Sequence, residues 1–380
     1  MTTPSPGAPH QDPVAPGSSA SPDATPHATA AGRFHPDGLA ARPSATGSTR
    51  ILGLDGLRAV AVALVLGFHF GLGWLGGGFF GVDVFYVLSG YLITGILLAE
   101  FERRGRIGLA AFWLRRARRL LPALLLVLVT VTLLVRFVEP TGAIAGYRGS
   151  ALATLFYASN WWQVATSGNY FVATGATSPL THTWSLAVEE QFYLVWPLVV
   201  LVVLHLAGSF RRGVRAVLVV AAVGTLASVV EMAVRFRPGA NTTRIYFGTD
   251  THAQSVLVGA VLACLLTLVE RRRGETGMDP AARGPAARAQ VTAVGLIGLA
   301  VIVALSWSLR GSSPATYRGG FFLVALCSAL VIVSVVAVPA GVLTRALSVA
   351  PLVWLGTISY GIYLWHFPVA VFLDAGRTGS

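Results

Sequence analysis

Lysine is absent from this 380-residue chain; all 28 of its Lys and Arg positions are arginine. A coding bias toward G and C accounts for that without any functional role. Charge is scarce too. Asp, Glu, Lys and Arg make up 12% of the residues, and a soluble domain carries about twice that share. Cysteine is almost missing: Cys264 and Cys327 both lie in apolar runs, so they offer neither a disulfide framework nor metal-ligand spacing. No metal is expected.

What is abundant is apolar surface. Hydrophobic residues reach 54%, and the mean hydropathy is +0.68. They come in long blocks at 57–76, 79–99, 120–138, 149–165, 184–206, 214–234, 251–269, 290–309, 320–338 and 350–372. Continuous blocks of this kind mark spanning helices rather than the periodic stripes of surface helices. The expected fold is therefore an all-α polytopic membrane protein with nine to ten transmembrane helices. The formal charge of +12 would suit a nucleic-acid partner, but the arginines sit between the apolar blocks, where they set topology. The expected partner is a lipid bilayer, and nucleic acid is excluded.

Residues 1–49 are rich in Pro, Ser, Ala, Thr and Gly. Such a stretch cannot bury enough surface to offset its ordering entropy, so a disordered tail is expected. It has no basic region followed by an apolar core, the pattern of a signal peptide. The membrane domain is expected over 50–375.

The fourth block, "GSALATLFYASNWWQV", is short and carries Ser159, Asn160 and Gln163. If it does not cross and the N-terminus is cytoplasmic, the inner loops hold sixteen arginines and the outer loops six. If it does cross, the split falls to twelve against ten. The excess of positive charge on inner loops thus favours nine crossings with a cytoplasmic N-terminus, in the cell membrane.

Within the first block, "GLDGLRAVAVALVLGFHF", Arg58 and His69 are eleven residues apart. At about 100° per residue that is some 20° past three turns, so the two share a helix face about 16 Å apart along the axis. A snorkelling arginine and a hydrogen-bonded histidine would be the purely structural account. An ionisable ring inside a membrane is costly, however, and a neutral imidazole is a natural general base. Asp83, near the start of the second block, is the nearest sequence candidate to orient that ring; a helix-start carboxylate favoured by the dipole is the alternative. Ser89 lies deeper on the same block.

"LDGLRAVAVALVLGFHF", "GGFFGVDVFYVLSGYLIT", "FWLRRARRLLPAL", "HTWSLAVEEQFYLVWPL", "YFGTDTHAQSVLVGAVLA" and "LGTISYGIYLWHFPV" together resemble the acyltransferase-3 family of membrane-bound O-acyltransferases. The blocks occur in family order over residues 51–370. The family's Arg-x10-His signature maps onto Arg58 and His69. The resemblance implies transfer of an acyl group, usually acetyl, from cytoplasmic acyl-CoA to a hydroxyl of a carbohydrate-like acceptor. Such acceptors include cell-envelope glycans and glycosylated metabolites.

In that light Arg115, Arg116, Arg118 and Arg119 are candidates to hold the CoA phosphates through charge-assisted contacts, against plain topology signalling. His182 is expected outside the membrane. Glu189 and Glu190 point about 100° apart, so at most one should face the site. Trp365 and His366 could shape an acceptor pocket.

Two departures stand out. Where the family shows Thr-Arg-Ala-Asp, this chain has "THAQ", with His252 and Gln254; and it stops at "DAGRTGS" where the family continues into one more helix. No esterase-like domain is expected to follow. A proton-coupled transporter or flippase of a glycolipid-like substrate is the competing reading, although no pair of matching broken helices supports it.

Overall fold

The computed structural model describes residues 50–138, 141–166, 178–276 and 284–373. The tail expected over 1–49 and the chain end after residue 373 lie outside these described residues. The chain divides at Arg50, and Ile51–Ser380 forms one compact unit. Among the described residues there are α-helices and no strand. In chain order they are α1 (Leu52–His69), α2 (Gly81–Arg104), α3 (Leu109–Val138), α4 (Thr141–Leu155), α5 (Ser159–Thr166), α6 (Trp184–Leu206) and α7 (Phe210–Arg235). Then come α8 (Thr243–Phe247), α9 (Thr249–Thr276), α10 (Pro285–Ser308), α11 (Phe321–Ala337), α12 (Val342–Leu347) and α13 (Ala350–Phe372).

Nine of the described helices, α1, α2, α3, α6, α7, α9, α10, α11 and α13, are long and apolar enough to cross a membrane. Leu126, Val223 and Trp307 stand exposed on their surfaces, the inverse of a soluble fold and what hydrocarbon covers at no polar cost. The stretch 149–165 forms no spanning helix. It breaks between Leu155 and Ser159, where Tyr157 adopts φ 52°, a left-handed conformation that a bulky residue keeps only when neighbours hold it. Gln191 Nε2 does so, donating to the Tyr157 carbonyl at 2.9 Å and to Asn160 Oδ1 at 3.0 Å. The polar residues that made the stretch doubtful, Ser159, Asn160 and Gln163, are buried around the break.

Two further boundaries differ from expectation. The first block continues to residue 76, but α1 stops at His69 because the glycine-rich run that follows begins with Gly71 at φ +72°. His69 is therefore the last residue of its helix. The four-arginine block is not a loop either: α3 starts at Leu109 and runs through it, with Pro122 inside the helix rather than at its start.

Close approach of backbones fixes the bundle. α2 packs on α9, and a methyl group on Gly90 would lie 1.8 Å from the Val256 carbonyl oxygen. From the other side, one on Gly259 would lie 2.1 Å from the Val87 oxygen. α1 packs lengthwise on α13, and there Gly356 meets the Asp55 carbonyl in the same way, at 1.8 Å. Small residues at such crossings are how membrane helices gain contact when lipid is as apolar as their side chains. The second pair matters most here, because it carries both Arg58 and His69 alongside α13.

Candidate active site

A cavity of about 100 Å³ opens among α1, α2, α3, α6 and α13. Its walls are tiered along α6. Tyr193, with Arg58, Arg116 and Arg119, lines one end; Glu189, Glu190 and Ser89 line the middle; Ser185, Tyr86 and Tyr363 form the other end. Residues 185, 186, 189, 190 and 193 of α6 all line it, a stripe about 140° wide at 100° per residue. That width corrects the expectation for the glutamates: both Glu189 and Glu190 face the cavity.

The arginine block divides. Arg116 and Arg119, three apart and so on one helix face, line the cavity, whereas Arg115 and Arg118 do not. Arg116 lies over the Tyr193 ring at 4.3 Å, a cation–π contact that leaves the guanidinium edge available for other partners. Arg58 is partly buried and pairs with Asp55 at 3.2 Å.

In the middle tier Ser89 Oγ donates to Glu189 Oε1 and the Tyr193 hydroxyl reaches both, at 2.9 Å from Ser89 Oγ. Tyr193 was not singled out from the sequence, although its place four residues after Glu189 was a usable signal. At the far tier Tyr86 OH donates to the Ser185 carbonyl at 3.0 Å. Ser185 Oγ and Tyr363 OH are 2.6 Å apart, and Tyr363 OH also donates to the His182 carbonyl at 3.1 Å. These three residues line that end of the cavity. His69 does not line the cavity.

Behind the tier, histidines from three elements meet. His366 Nε2 lies 3.0 Å from His69 Nδ1, and the His182 ring centroid is 5.3 Å from that of His366. His182, expected outside the membrane, is fully buried in the short turn Thr181–Thr183 that leads into α6. Trp365 is half-buried against the core and lines no part of the cavity; the turn of the helix sends His366 inward instead. Asp83 is not beside His69. It is buried at the start of α2 and accepts from Ser255 Oγ of α9 at 2.7 Å, because α2 packs along α9 while His69 faces α13.

The "THAQ" residues do not line the cavity, although His252 packs behind the Tyr86 ring. His252 is buried among Tyr86, Trp184, Tyr246 and Phe321, and Gln254 donates to the Thr251 carbonyl at 2.9 Å. Among the described residues no cluster of metal-ligating side chains is found. Chemically, the arrangement offers a cationic end for phosphates, a hydroxyl and carboxylate middle, and an imidazole pair suited to moving a proton.

A family model described as an acyltransferase domain matches residues 51–375. The chain is 39% identical over 321 residues to the peptidoglycan O-acetyltransferase OatA of Listeria monocytogenes, covering 83% of this chain and 49% of that protein. It is 39% identical over 322 residues to the putative peptidoglycan O-acetyltransferase YrhL of Bacillus subtilis, covering 84% and 49% respectively. With the O-acetyltransferase OatA of Staphylococcus aureus the identity is 36% over 323 residues, covering 85% and 51%. The chain thus spans about half the length of the curated relatives it matches. No solved structure matches it.

Proposed function

The chain belongs to this acyltransferase family across residues 51–375, and from that premise we propose that it is a membrane O-acetyltransferase of the cell envelope. Its donor is acyl-CoA, most simply acetyl-CoA, and its acceptor is a hydroxyl of a carbohydrate, with peptidoglycan sugars the class that the relatives' names suggest. The observation that carries the reading is the tiered cavity, with arginines at one end and the His69–His366 pair just beyond the other.

Arg58, Arg116 and Arg119 hold the donor's phosphates by charge-assisted hydrogen bonds. The donor supplies the acyl carbon as a thioester. Ser89, Glu189 and Tyr193 shape the passage behind the phosphate end. His69 takes the proton of the acceptor hydroxyl as the oxygen–carbon bond forms, and returns it to the sulfur as the carbon–sulfur bond breaks. The hydroxyl tier of Tyr86, Ser185 and Tyr363 excludes water from the thioester until the acceptor is in place. The N-terminus of the chain is cytoplasmic in this reading, which puts the arginine end on the side where acyl-CoA is available.

Purified protein in detergent or nanodiscs, given radiolabelled acetyl-CoA and peptidoglycan fragments, tests the proposal. Label in the sugar product, lost in His69→Ala, is the expected result. Thioester left intact while a glycolipid moves between leaflets of proteoliposomes would replace the enzyme by a transporter.

A further inference from the structure

We infer that His366 is the positioning residue of the base: it fixes the His69 ring in the tautomer that carries its lone pair on Nε2. The inference rests on the reading of His69 as general base.

The assignment follows from the acceptors around the two rings. His366 Nδ1 lies 2.6 Å from the carbonyl oxygen of Tyr363, which can only accept. A lone pair on that nitrogen would face a lone pair on oxygen, so Nδ1 carries the proton. In the neutral ring Nε2 is then the acceptor. His69 Nδ1 lies 3.0 Å from that nitrogen and also 3.0 Å from the Val65 carbonyl. Both neighbours are acceptors, so His69 Nδ1 carries its ring's proton and Nε2 its lone pair. The two carbonyls thus determine both tautomers.

The support is buried. His366 is 4% exposed, and Phe367 closes on His69 with ring centroids 5.0 Å apart. Tyr363, whose carbonyl fixes His366, is itself tied through its hydroxyl to Ser185 and to the His182 carbonyl. A ring oriented by a fixed partner is what a base needs to meet its substrate proton at the right nitrogen. When Nε2 takes a proton, the imidazolium strengthens its Nδ1–H bonds to Val65 and His366, and a neutral imidazole does here what a carboxylate does in other triads. Asp83, held by Ser255, has no part in it.

The test uses the full-length chain in nanodiscs with acetyl-CoA and a peptidoglycan-fragment acceptor. His366→Leu removes the acceptor and should lower kcat about 10- to 100-fold with KM for acetyl-CoA unchanged. His366→Gln, whose carbonyl can still accept, should recover most of that loss. In a His69→Ala background, His366→Leu should add nothing further. Nitrogen-15 chemical shifts of the histidine-labelled wild type should show the neutral Nδ1–H form for His69, assigned by its loss in His69→Ala, and this readout stands even if His366→Leu fails to fold.

A folded His366→Leu within twofold of wild type, a Gln variant as slow as Leu, or the Nε2–H form at His69 would each overturn the inference. His69→Ala with normal turnover would instead remove the reading beneath it.

Discussion

The two ends of the cavity are assembled in opposite ways. At one end Arg58, Arg116 and Arg119 come from α1 and α3 and reach the space on long, flexible side chains. At the other, short rings from α1 and α13 meet across 297 positions of sequence, and only the lengthwise packing of these two helices brings them together. The first end tolerates small displacements and suits the binding of a mobile, highly charged ligand. The second depends on fixed backbone and suits chemistry at one nitrogen. On the proposed function, binding and turnover are lodged in different places, and substitutions should separate them.

The largest expected effect is at the histidine end. His69→Ala should lower turnover by a factor on the order of 10² to 10⁴ while folded yield holds; loss of folded protein in proportion to activity, seen by size-exclusion chromatography, would make the ring a packing element. At the arginine end, Arg116→Ala combined with Arg119→Ala should raise KM for acetyl-CoA about 10- to 100-fold with a smaller change in kcat. The matched double variant of Arg115 and Arg118, exposed and not lining the cavity, should leave KM within about twofold, as surface charges do. Equal effects of the two pairs would erase the division of the block.

Gly259→Ala probes neither end. It forces a methyl group toward the Val87 carbonyl and should destabilise the bundle by about 1–3 kcal/mol. In a thermal-melt series activity and folded fraction should fall together. Asp83→Asn should do least. It keeps a side-chain oxygen for Ser255 and leaves His69 untouched, so turnover should stay within about threefold, the range of a retained neutral hydrogen bond. A loss as large as that of His69→Ala would return the aspartate to the catalytic group.

Much of this was legible in the sequence. The nine helices long and apolar enough to cross a membrane follow from block length. Partnerships across the bundle were not legible. Asp83 looked like the partner of His69 because it is next along the chain, but α2 turns that residue to Ser255 on α9. His366 was seen as a pocket-former because nothing local ties it to His69. The split of the arginine block was computable in principle at 100° per residue. It was hidden because the arginines were placed between apolar blocks, when α3 already begins at Leu109 and runs through them. Tyr363 escaped notice because its role runs through its backbone carbonyl, which no side-chain pattern announces.

The separation of binding from chemistry is tested most directly by measuring acetyl-CoA affinity and single-turnover rate on the same two proteins, His69→Ala and the Arg116→Ala/Arg119→Ala double variant. The account predicts that His69→Ala binds the donor with wild-type Kd and barely turns over. The arginine variant should bind at least about tenfold more weakly yet transfer acetyl at close to the normal rate once saturated. If both variants lose affinity and rate in the same proportion, the two ends do not divide the work and the account is contradicted.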